Sequence, residues 1–169
     1  MKQQSTHALI IVVSILVGLI ASQSVAYASS PSVSGGGVVD GALGTTSQLG
    51  FNASWSSGGQ FLCVMAGRSG GFGPFADWET ILQMRVEGPV DAHSLTFASD
   101  GSAIFTGTAT IHIVGKTSSG AVLTATLTDM GYTSWQTAGG AGVAQHKLEI
   151  AGLTFGPEYL RSGRITIRQ

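Results

Sequence analysis

The sequence predicts an all-β fold: an antiparallel β-barrel or barrel-like sandwich of about eight to nine strands, preceded by an N-terminal signal-peptide helix. Three observations carry that expectation. Beyond residue 37, apolar side chains recur with period two, the spacing of strands that bury one face. No stretch there follows the 3.6-residue period of an amphipathic helix. Clusters of Gly, Ser, Asp and Pro interrupt the pattern roughly every 8 to 15 residues, as hairpin-linked strands require.

The N-terminus follows a different grammar. Lys2, an apolar run over residues 8–21 and the small-residue site Ala26-Tyr27-Ala28 stand in the order of a secretory leader. The apolar run is about 14 residues, short of the roughly 20 that cross a bilayer. The expectation is a signal peptide over residues 1–28 cleaved after Ala28, a secreted or extracellular product, and no membrane span after leader cleavage. Residues 29–36, Ser-Ser-Pro-Ser-Val-Ser-Gly-Gly, have the composition of a flexible lead-in. Residues 37–169 are then a single all-β domain.

Strands are expected over 37–42, 47–55 and 60–65, the second with Leu49, Phe51, Ala53 and Trp55 on one face. Residues 67–74, with Arg68-Ser69-Gly70-Gly71-Phe72-Gly73 inside them, suit a mobile loop. Patterning resumes over 80–87 with Leu82, Met84 and Val86 inward. Gly88-Pro89 ends it, because proline has no N–H for the ladder. A short strand over 93–97 leads into the Asp100-Gly101 turn.

Residues 103–114 carry Phe105, Ala109, Ile111 and Ile113 on one face and Thr106, Thr108, Thr110 and His112 on the other. Residues 121–129 repeat the arrangement, Leu123, Ala125 and Leu127 against Thr124, Thr126 and Thr128. The two segments are expected to pair as a hairpin, each facing threonine pair contributing roughly 0.2–1 kcal/mol. At about 3.4 Å per residue the first of them spans roughly 40 Å if straight, so it must coil, which favours barrel closure. Residues 130–142 read as a loop. Strands over 143–151 and 163–168 close the chain, with His146, Leu148, Ile150, Ile165 and Ile167 inward.

Charge and cysteine content narrow the function classes. Charged residues are 10% of the chain, and setting Lys2 aside leaves seven basic side chains against nine acidic ones. Such a balance offers no basic patch, so no nucleic-acid partner is expected. Cys63 is alone, which excludes an intrachain disulfide; flanked at period two by Phe61 and Met65, it is expected to be a buried, inert thiol.

The order of motifs resembles a known family. Gly35-Gly36-Gly37, then Leu49-Gly50-Phe51-Asn52-Ala53, then residues 103–111, Ala-Ile-Phe-Thr-Gly-Thr-Ala-Thr-Ile, then residues 123–131, Leu-Thr-Ala-Thr-Leu-Thr-Asp-Met-Gly, are similar to bacterial secreted and cell-surface β-domains of the post-COAP-1 type. The likeness covers most of residues 35–151. It implies a secreted, non-catalytic structural or binding module with no established active site to carry over. After Asp129 the family continues with a polar loop, where this chain has Met130, Tyr132 and Trp135.

No residue set points to catalysis or a metal. His93, His112 and His146 fall on three different segments without a second thiolate or a paired histidine. Asp91, His93 and Ser94 offer parts of a nucleophile relay without an oxyanion hole. Asp77-Trp78-Glu79 places two carboxylates about an indole at the start of a strand. No catalytic residue, metal ligand or cofactor is assigned. Aromatic loop residues are the better binding candidates: Trp78 after the glycine-rich loop, and Tyr132 and Trp135 in the loop that Asp129 opens, facing an extracellular partner, surface glycan or peptide.

The function expected is therefore that of a secreted non-enzymatic β-module with an interaction or cell-surface structural role. One alternative is a small apolar ligand-binding barrel in which Phe51, Trp55, Phe105 and Leu123 enclose a cavity. The other is a secreted barrel-type hydrolase or cyclase using Asp91, His93, Asp77 or Glu79.

Overall fold

A computed structural model of the chain describes residues 30–41 and 45–169. The leader expected over residues 1–28 lies outside the described residues. The strands are β1 (Ser32–Asp40), β2 (Thr46–Ser54), β3 (Gly58–Ser69), β4 (Thr80–Val90), β5 (Thr96–Phe97), β6 (Ala103–Lys116), β7 (Val122–Gln136), β8 (Gly139–Gly140), β9 (Gln145–Ile150) and β10 (Leu153–Arg168). Hydrogen-bonded neighbours run β1-β2-β3-β4-β6-β7-β9-β10, and β10 pairs back onto β1, so eight antiparallel strands close a barrel. The short β5 and β8 flank β6 and β10. Closure leaves the eight main strands no free edge to aggregate through.

The closing strand is the one composition concealed. Residues 32–36, expected as a flexible lead-in, belong to β1 and pair with β2 on one side and β10 on the other. Glycine is what the position requires: a Cβ on Gly35 would stand 2.6 Å from the Arg164 carbonyl oxygen. A segment that looked unstructured for want of side chains is ordered by the backbone ladders that their absence permits.

Further boundaries differ from the sequence pattern: β5 is confined to residues 96–97, and β10 begins at Leu153, ten residues ahead of the strand expected there. β3 runs on to Ser69, into the segment expected as a loop, across an irregularity between Ala66 and Ser69. β4 continues through Gly88-Pro89 to Val90, because Pro89 falls in a gap of the β4–β6 ladder between the Glu87–Thr110 and Val90–Gly107 pairs. No donor is needed from the proline on that side. β7 extends to Gln136, through much of the expected 130–142 loop.

The barrel interior is filled toward one end by Phe51, Phe61, Phe105 and Tyr132, all buried. Phe61 stacks on Tyr132 at 5.0 Å between ring centroids, Phe51 lies 5.6 Å from Phe105, and Phe105 meets Tyr132 edge-on at 6.5 Å. Burying each such ring contributes about 1.5–3 kcal/mol. Trp55, expected on the same inward face as Phe51, falls just past the end of β2 and is 47% exposed.

Candidate functional site

Toward the other end the packing opens. Where β2 and β4 begin and β3 ends, a cavity of about 220 Å³ is walled by Met65, Phe72, Ile81, Met84 and Phe155 and bears Ser47 and Glu158 among its polar lining. The register explains these neighbours. Ser47 pairs with Met65 and Met65 with Met84, so three adjacent strands send inward-facing side chains to one level.

Glu158 reaches that level through a bulge. Phe155 pairs with Leu148 and Glu158 with His146, so three steps on β10 oppose two on β9. The extra residue reverses the alternation, turning Glu158 and Leu160 to the side that Phe155 faced before it. Gly156 makes the bulge possible: its φ is +91°, and a Cβ there would lie 2.6 Å from the His146 carbonyl oxygen.

The segment between β3 and β4 caps this mouth. A single 3-10 turn, Gly73–Phe75, buries Phe75, with Phe72 6.4 Å and Trp78 5.0 Å away between ring centroids. Phe72 in turn meets Phe155 of β10 edge-on at 6.0 Å. Trp78 lies across Gly115 at the end of β6, where a Cβ would come within 2.3 Å of the indole. The glycine-rich segment thus carries an aromatic cap.

The electrostatics are set by burial. Glu158 is half-buried, and desolvation, with the Asp40 carboxylate adding to it, raises its pKa above the ordinary carboxyl value. Among the described side chains the ion pairs do not include it; Asp40 itself is paired with Arg161 at 3.1 Å. The next inward residue of β3 beyond Met65 is Cys63. Its thiol shares a hydrogen bond with Ser47 and is pushed up to about 12, by burial first and then by the Glu158 charge. It is a buried, protonated thiol, not a nucleophile.

Deeper still is a polar group that sequence reasoning left among the apolar positions. Gln136 Nε2 donates to Ser134 Oγ at 2.7 Å and lies 2.8 Å from His146 Nδ1. His146 stacks against Phe61 at 6.0 Å, and burial lowers its pKa to about 4. With Gln136 donating to Nδ1, the ring proton sits on Nε2, which has no hydrogen-bond partner; nor has Gln136 Oε1. Period-two spacing placed His146 inward, but nothing in the sequence marked Ser134 and Gln136 as its neighbours.

The aromatic candidates are dispersed. Trp78 belongs to the cap beside the cavity. Tyr132 and Trp135 lie on β7, not on a loop tip: Tyr132 is buried and donates to the Pro89 carbonyl at 3.0 Å, whereas the Trp135 indole donates to Ser102 Oγ at 2.9 Å. Asp129 is exposed at a bulge in β7, with φ of +58°. The other acid–base candidates do not assemble either. Ser94 Oγ donates to the carbonyls of Asp91 and Thr106, and the His93 ring packs on Trp55 at 4.5 Å. Asp77 and Glu79 are exposed.

Among the described residues no group of three or more His, Cys, Asp or Glu could hold a metal ion, and no helix is long and apolar enough to cross a membrane. Comparison with family models, with curated proteins and with solved structures finds no match to this chain.

Proposed function

We propose that this chain is an exported, non-enzymatic β-barrel that binds a small, mainly apolar molecule in the capped mouth between β2, β3, β4 and β10. The observation that carries the proposal is the cavity of about 220 Å³ walled by methionine, isoleucine and phenylalanine side chains. An apolar cavity of about 150 Å³ suffices for benzene, and drug-sized ligands take about 300 Å³ or more, so the fit is a molecule between the two. The pocket differs from the one anticipated around Phe51, Trp55, Phe105 and Leu123: Phe51 and Phe105 fill the opposite end, and Trp55 is outside. Methionines suit the role, because a flexible thioether wall adapts to an irregular ligand.

For an interaction module the binding candidates are aromatic side chains, and the two on β7, Tyr132 and Trp135, are engaged with Pro89 and Ser102. Export is supported by the leader-like residues 1–28. The test is titration calorimetry with a series of small aromatic and alicyclic probes, such as indole and cyclohexanol, on the parent and on Met65→Trp. Binding by the parent and its loss when the larger ring fills the cavity is the expected result. A parent that binds none of them removes the proposal.

A further inference from the structure

The cavity has one feature that a container for a neutral hydrocarbon does not need, a carboxyl group placed in its wall by a bulge. Glu158 faces Met65, Met84, Phe72 and Phe155 across the same space, and the four ion pairs among the described side chains leave it out. Resting on the ligand-binding reading above, we infer that the ligand is a small hydrophobic amine, bound as its ammonium ion, with the charge on Glu158 and the apolar body among the methionines and phenylalanines.

Each part of the lining favours that chemistry over a neutral or anionic ligand. A carboxylate taken partly out of water without a cationic partner is costly, and a cation brought with the ligand supplies that partner. Asp40 deepens the negative field: it acts on Glu158 as a like charge, and its own partner Arg161 is an exposed guanidinium outside the cavity lining. The same field repels a carboxylate ligand. Phe72 and Phe155 add ring faces and edges beside the site; a ring face attracts an alkylammonium group. Ser47 supplies a hydroxyl at the same level, already hydrogen-bonded to Cys63 and able to accept from the ammonium.

The experiment compares three ligands with one apolar body: phenethylamine, 2-phenylethanol and 3-phenylpropionate, each titrated by calorimetry into the full exported chain and into Glu158→Gln. The expected order in the parent is amine first by about tenfold or more, as a charge-assisted hydrogen bond provides, then alcohol, with the carboxylate weakest. Glu158→Gln is expected to abolish the amine's advantage while leaving the alcohol's affinity within about twofold. Asp40→Asn should reduce the advantage by less than Glu158→Gln does. Equal binding of amine and alcohol by the parent overturns the inference and leaves the apolar pocket standing, as does an amine preference that survives Glu158→Gln. If none of the three binds the parent, both the inference and the ligand-binding reading fail. The comparison within the parent decides the matter even if the variant is poorly folded.

Discussion

His146 sits in an environment far from what its type prefers, buried with its ring Nε2 unpartnered. A histidine facing the core of a barrel must stay neutral there, so its folded pKa lies near 4, against 6.5 for the free side chain. Between those values the unfolded chain binds the proton and the folded one does not, so stability is complete above about 6.5 and falls as the pH drops toward about 4. Glu158 acts with the opposite sign. Its folded pKa is raised above 4.5, so its contribution is present in acid and is lost as the pH rises through the raised value. The two partly cancel where their ranges overlap, and Glu158→Gln separates them. In that background urea midpoints should climb between about pH 4 and 6.5, and the slope should vanish in Glu158→Gln/His146→Gln. An unchanged slope in the double variant would assign the titration to another group. Cys63 stays out of this range, since burial keeps its thiol protonated.

At the scale of strands, the instructive elements are the bulged ones. Before its bulge β7 turns Leu123, Ala125 and Leu127 inward; after the irregularity opposite Ala109 and Ile111, the inward set is Tyr132, Ser134 and Gln136. Odd positions become even ones, so a period-two reading loses the strand where it changes phase and leaves 130–142 as a loop. β10 changes phase twice, once between Phe155 and Glu158 and once opposite Val38 and Val39, which is why only its final stretch, with Ile165 and Ile167, was legible. The first of these changes in β10 depends on Gly156. Gly156→Ala must place a Cβ against the His146 carbonyl at a positive φ, and it should lower stability by more than about 1 kcal/mol in urea unfolding. It should also weaken any ligand held by Glu158, because the bulge is what directs that side chain; full retention of stability would show that the bulge relaxes freely.

Across the whole molecule, the two ends of the barrel do different work. The end holding Phe51, Phe61, Phe105 and Tyr132 is solid and provides stability, while the capped end trades packing for a cavity. A ligand that binds only the folded barrel adds about 2.7 kcal/mol at one hundred times its dissociation constant. The melting temperature should therefore rise with the logarithm of ligand concentration, and a flat response at saturation would contradict binding to the folded state. How much of this was open to reading from the chain follows from range. Period two, the threonine faces and the turn residues are local, and they determined an all-β antiparallel fold, most of its strands and the inward placement of Cys63 and His146. Closure by β1, the phase changes in β7 and β10, the aromatic cap from a glycine-rich segment and the meeting of Ser47, Met65, Met84 and Glu158 depend on backbone contacts between residues far apart in sequence. Local composition cannot encode which carbonyl will face Gly35 or Gly156, so the barrel was legible as an architecture, whereas the strand that closes it, its cavity and the carboxyl in its wall were decided only by the tertiary structure.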